Sequence, residues 1–104
     1  MIHTKESITH EIIKIVAHCL QIKPEEVKPA SRLFMDLDAE SIDILDIRFS
    51  IESQFGFKFK DDEIKSLLVS IAEERKLTAK EIPELFTVES LIEFVQYKLQ
   101  GHVG

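Results

Sequence analysis

The sequence predicts an all-α domain, a small four-helix bundle, and three observations carry that expectation. Apolar residues recur at spacings of three and four in four separate stretches, and helix-capping residues stand just ahead of those stretches. Only "FKFK" (57–60) alternates as a strand would. It is short and has no second segment to pair with, and an isolated strand leaves its ladder unsatisfied, so it is read as loop. With 104 residues, 44% of them hydrophobic and 31% charged, the chain has the composition of one domain, 1–104, with a modest single core.

The first helix is marked by Ile8, Ile12, Ile15, Val16 and Cys19, with Thr4 or Ser7 as its cap. A long loop, 21–40, follows; two prolines interrupt it, and Val27, Leu33, Phe34 and Leu37 are expected to pin it to the core. The second helix should run from Ser41 to Phe55 and stop at Gly56, a residue that tolerates the left-handed C-cap conformation. Ile64, Leu67, Leu68 and Ile71 form the stripe of a third helix capped by Asp61 or Asp62, and "LTAKEIPELF" reads as a turn or short helix broken near Pro83. The last helix opens at Thr87, with Phe86 and Leu91 placed as a hydrophobic staple. It turns Val88, Leu91, Ile92, Val95 and Leu99 inward and ends at Gly101.

Nineteen acidic residues against 13 basic ones give a net charge of -6. That charge repels phosphate backbones and offers no basic patch, so basic protein surfaces are better partners than nucleic acid. Cys19 is the only cysteine, which rules out an intrachain disulfide, and the start "MIHTKESITHEIIK" lacks the basic and apolar regions of a secretion signal. Charges interrupt every apolar run well before the roughly 20 residues needed to cross a bilayer. These features predict a cytoplasmic monomer without a membrane span.

The catalytic and metal-binding patterns fail on their residues. Asp36, Asp38 and Glu40 alternate as in a calcium-binding loop, but Ser41 stands where a glycine is needed and Ile47 where a bidentate glutamate is needed. The four histidines include no pair at metal-ligand spacing on a helix. Ser41 has only carboxylates and small or apolar residues around it, with no base to activate it as a nucleophile. The plainest role for Ser41 is that of a cap or first-turn residue, and the helix behind it decides whether more is implied.

At 100° per residue, Ile44, Ile47, Ile51 and Phe55 fall in one arc of the second helix, and Ile42, Leu45 and Phe49 in another. Either the helix is central and buries both arcs, or the second arc is an interaction ridge rimmed by Asp43, Asp46 and Glu52. From Asp36 to Phe55, six acids (Asp36, Asp38, Glu40, Asp43, Asp46, Glu52) stand against Arg48 alone, a net of five negative charges that would steer a basic partner to this face.

"DLDAESIDILDIRFSIESQFGF" resembles the serine motif and recognition helix of the acyl carrier protein family, and "FTVESLIEFV" resembles its last helix. The resemblance implies a bundle of acyl-carrier type that is not itself an enzyme. It implies 4′-phosphopantetheine carried covalently on Ser41, a phosphopantetheinyl transferase as partner, and acyl-loading, elongating or transferring enzymes docking through Glu40, Ile42, Asp43, Leu45, Asp46, Phe49 and Glu52. Glu40 and Ile42 replace the family's usual aspartate and leucine beside the serine, keeping charge and shape.

The cargo implied is an acyl intermediate of fatty acid or specialised lipid synthesis; carriers of polyketide or aminoacyl groups share the same serine. An unmodified acidic interaction module is the alternative from another class.

The segment between Gly56 and Thr87 is longer than in ordinary members, similar to carriers of specialised chains. The enlarged third-helix region is therefore expected to build an acyl pocket from Ile64, Leu67, Leu68, Ile71, Leu85 and Phe86 against Ile47, Ile51 and Val95. Ordinary core packing is the competing role for the same residues.

Overall fold

The structure, a computed structural model, describes residues 4–60 and 62–100, apart from the side chains of residues 67, 71 and 79. Its helices are α1 (Lys5–Leu20), α2 (Ser41–Phe55), α3 (Glu63–Glu74), α4 (Ile82–Leu85) and α5 (Val88–Leu99), with short 3-10 turns at Pro24–Glu26 and Ala79–Glu81. The all-α expectation holds. The helix count differs by one because Pro83 does not break the segment after α3; it sits in the first turn of α4, where its missing N–H costs nothing. The expected cap Asp61, and Gly101 as the end of the last helix, lie outside the described residues; within them α5 is followed by Gln100.

Local chemistry sets the helix ends. Thr4 and Ser7 cap α1 reciprocally: the Thr4 Oγ1 accepts from the Ser7 N–H at 3.0 Å, and the Ser7 Oγ accepts from the Thr4 N–H at 3.1 Å. Gly56 closes α2 in the left-handed conformation (φ 77°), its N–H donating to the Glu52 carbonyl at 2.9 Å.

Helix α1 packs on α2 and α5, and α3 packs on α4. The core fills the first of these groups: Ile12, Val16, Ile47, Ile51, Leu91, Ile92 and Val95 are all at most 1% exposed. Side chains buried this fully contribute about 1.5–3 kcal/mol each.

The 21–40 loop is held by more than its apolar anchors. Val27 and Leu33 are buried as expected, with Phe34 and Leu37 half-buried. In addition, the backbone of the loop is stitched to the start of α5. The Leu33 N–H donates to the Phe86 carbonyl at 2.9 Å, and the N–H groups of Val88 and Glu89 donate to the carbonyls of Ser31 and Pro29 at 3.0 and 2.8 Å. An antiparallel bridge between Arg32 and Thr87 results, the one ladder contact among the described residues. "FKFK" forms no strand; Phe59 is instead driven inward, to 4% exposure.

Ser90 ties α4 to α5. Its side chain is buried, its Oγ donates to the Leu85 carbonyl at 2.6 Å, and that oxygen accepts from the Thr87 N–H at 3.1 Å. Ser90→Ala would remove one hydrogen bond from each of these backbone groups and leave them only the bond from the Thr87 N–H to the Leu85 carbonyl at 2.9 Å. Stability should fall by about 1–2 kcal/mol, which a thermal melt would register as a drop of about 5–10 °C in Tm. An unchanged melt would show that solvent replaces both bonds without cost.

Candidate functional site: the head and outer face of helix α2

The approach to α2 is a shaped acidic turn. Asp36 accepts from Arg32 through both oxygens, from Nε at 3.1 Å and from a terminal nitrogen at 3.0 Å, and also from the Arg32 backbone N–H at 2.8 Å. These hydrogen bonds hold the Asp36 carboxyl below the usual carboxylate range. Asp38 adopts the left-handed conformation (φ 55°), which a short polar side chain tolerates, and Ala39 turns into the interior. Glu40 is the N-cap; its backbone N–H donates to Asp43 Oδ2 at 2.8 Å.

Ser41 is therefore the first residue of α2. It is exposed, and among the described residues its hydroxyl has no hydrogen-bond partner. The free backbone N–H groups of a helix N-terminus and the aligned peptide dipoles favour an anion at this position.

The two arcs of α2 part company. Ile47 and Ile51 are fully buried, with Ile44 and Phe55 packed partly against them. Ile42, Leu45 and Phe49 are 64%, 49% and 58% exposed, and Met35 of the preceding loop is 50% exposed. The helix does not bury both arcs, and a row of exposed apolar side chains starts beside Ser41. Asp46 is exposed and Asp43 half-exposed along this row.

Glu52 is a correction. Expected among the steering charges, its carboxylate faces inward: Oε2 accepts from the Phe59 N–H at 2.7 Å and pairs with Arg48 Nε at 3.5 Å, the two side chains being 12% and 18% exposed. Arg48 in turn donates from a terminal nitrogen to the Phe59 carbonyl at 2.7 Å. The two α2 side chains grip both backbone groups of Phe59. Asp36 is likewise spent on Arg32, which leaves Asp38, Glu40, Asp43 and Asp46 as the acidic groups around Ser41.

Between α2 and the α3–α4 unit lies an apolar groove of about 420 Å³. It is lined by Phe34, Ile44, Leu45, Arg48, Ile64, Lys65, Leu68, Val69, Ile82, Pro83 and Phe86. Of the expected pocket residues, Ile64, Leu68 and Phe86 are brought together here. Ile47, Ile51 and Val95 are not: they are sealed in the core behind the groove, because α1 and α5 cover that side of α2. Leu85 packs partly against the core and is not on the lining, and the side chains of Leu67 and Ile71 lie outside the description.

The α2 wall could have been found in the sequence. Ile44, Leu45 and Arg48 stand three, four and seven residues after Ser41, so one stripe of the helix runs from the serine into the groove.

Two further groups sit outside this arrangement. Burial pushes the Cys19 thiol up, against a contact with Ser50 Oγ at 3.7 Å that pulls the other way, so the thiol is less reactive than a free one. Glu63 is pushed up by burial, but the Lys60 N–H and the Lys98 ammonium, at 2.8 and 3.1 Å, outweigh this and hold it below the ordinary carboxylate range. No helix among the described residues is long and apolar enough to cross a membrane.

Residues 10–73 match the family model described as "Phosphopantetheine attachment site", a stretch that contains α2 whole and ends inside α3. The chain belongs to the acyl carrier protein family. It is 32% identical over 63 residues to the acyl carrier protein of Coprothermobacter proteolyticus, a match covering 61% of this chain and 77% of that protein. It is also 34% identical over 62 residues to that of Nitratidesulfovibrio vulgaris strain Miyazaki F (60% and 82% covered), and 31% identical over 61 residues to that of Wolinella succinogenes (59% and 80%).

The prosthetic group that goes with this family is covalently attached 4′-phosphopantetheine. The residues at the head of α2 fit such a group, since a phosphodiester there would meet unpaired amide donors and open solvent. The family match stops before α4 and α5, within the longer segment that the sequence set apart.

Proposed function

We propose that this chain carries an acyl group as a thioester on 4′-phosphopantetheine attached to Ser41, and presents it to biosynthetic enzymes without catalytic turnover of its own. One observation carries the reading. Within the matched family region, Ser41 is an exposed serine with an unpartnered hydroxyl at a helix N-terminus, beside an apolar ridge. When bound, the group supplies a thiol that forms and exchanges thioesters.

The chain's own residues divide the remaining work. Asp43 fixes the turn that presents Ser41, and Asp46 with Glu40 supplies negative charge to draw basic partners such as a phosphopantetheinyl transferase. Ile42, Leu45 and Phe49 give those partners an apolar contact. The groove between α2 and α3–α4 holds the acyl chain. Its position one helical turn beyond Ser41 and its almost wholly apolar lining favour an aliphatic acyl cargo over an aminoacyl or polar polyketide one.

The test is intact mass after coexpression with a phosphopantetheinyl transferase. The expected result is a single added phosphopantetheine, mapped by peptide fragmentation to Ser41. A chain that stays at its unmodified mass would instead favour a plain acidic interaction module.

A further inference from the structure

We infer that Arg48 is the end-stop of the groove and sets the length of acyl chain this carrier shelters. The inference rests on the carrier reading above and adds a residue that determines specificity.

Arg48 and the exposed Lys65 of α3 are the two cations on the wall of a groove whose other lining residues are apolar, and of the two Arg48 is the one drawn in from solvent. Along α2 it is the lining residue farthest from Ser41, seven positions on, or about 10 Å at 1.5 Å per residue. One turn further, Glu52 no longer lines the groove. Arg48 is not free to swing aside. Its guanidinium is held by Glu52 Oε2 at 3.5 Å and by the Phe59 carbonyl at 2.7 Å, and only 18% of the side chain is exposed.

Phe59, gripped by the same two side chains, is buried, and its ring meets that of Phe57 edge-on at 5.2 Å. The α2 wall therefore ends in a guanidinium fixed in place, anchored on the backbone carbonyl of a buried phenylalanine. A hydrocarbon chain advancing along Ile44 and Leu45 gains apolar contact until it reaches this group. Any further methylene must displace a paired charge or turn out into water.

The experiment loads the full chain with saturated acyl groups from butanoyl to hexadecanoyl, with loading checked by mass. It then measures how far each thioester is protected from hydroxylamine, relative to the acetyl form. A methylene that enters an apolar site should raise protection roughly fourfold.

In the wild type, protection should climb at about that slope and then break to a plateau. Arg48→Ala and Arg48→Leu should move the break to longer chains, whereas Arg48→Lys, which keeps the cation and the bulk, should leave it in place. If the alanine variant does not fold, the leucine variant carries the comparison. The Arg48 Nε–H resonance provides a second readout and should shift only from the length at which the wild type breaks.

A break at one length in all variants would overturn the end-stop and leave the carrier reading intact. Protection flat at every length, on protein shown by mass to be loaded, would overturn the groove as the acyl site and the end-stop with it.

Discussion

Ser41→Ala is expected to fold as the wild type does and to gain no phosphopantetheine at any transferase concentration. The loss should be complete because an alanine methyl offers no oxygen to phosphorylate. The fold should not respond, because the Ser41 hydroxyl supports nothing: the α2 cap is Glu40, its backbone N–H is satisfied by Asp43, and Ser41 itself is exposed. A surface change of this kind, to a good helix former, should stay within about 0.5 kcal/mol of the wild type.

Other serines show why the assignment is selective. Ser7, Ser31 and Ser90 spend their hydroxyls on backbone groups, and Ser50 lies against the Cys19 thiol, whereas Ser53 is exposed but stands in the last turn of α2, away from the amide donors of its start. Ser50→Ala and Ser53→Ala should therefore load normally. An added phosphopantetheine on the Ser41→Ala protein would place the attachment elsewhere and remove the main support for the carrier reading.

The parts of this molecule that were legible in its sequence are those set by local chemistry. The bounds of α2 follow from an acidic turn, a serine and Gly56; the start of α5 follows from Thr87; and the division of α2 into a buried and an exposed arc follows from its 100° periodicity. What escaped depends on partners distant in sequence.

Glu52 and Arg48, four residues apart on a helix, look like an ordinary surface pair, and only the return of the chain at Phe59 turns them inward. The groove was misplaced for a similar reason. Ile47, Ile51 and Val95 have the right chemistry to line a pocket, but α1 and α5 already occupy that side of α2, and periodicity does not say which of two apolar neighbours a stripe will face. Phe34, Ile82 and Pro83 reach the groove from segments with no periodic signal at all.

The inward turn of Glu52 changes which charge substitutions should matter for partner docking. Asp46→Lys is expected to slow loading by a phosphopantetheinyl transferase about tenfold at low ionic strength, and by only two- to threefold at physiological salt, since steering raises association rates by roughly 10–1,000-fold and fades beyond a Debye length of about 8 Å. Asp43 must be tested differently because it also binds the Glu40 N–H at 2.8 Å. Asp43→Asn keeps an acceptor for that bond while removing the charge, so any slowing it causes reports steering and not a loosened helix start.

Glu52→Gln should behave in the opposite way. The amide oxygen can still take the Phe59 N–H, but the charge facing Arg48 is lost in a setting only 12% and 18% exposed. It should lower stability by about 1 kcal/mol and leave the salt dependence of loading untouched. Stopped-flow loading at two ionic strengths, with a thermal melt of each variant, separates these outcomes. If Asp46→Lys loaded at the wild-type rate at both salts while Glu52→Gln changed the salt dependence, the docking face would not be the exposed row from Ile42 to Phe49, and the partner surface would have to be sought on the side of α2 that meets Phe59.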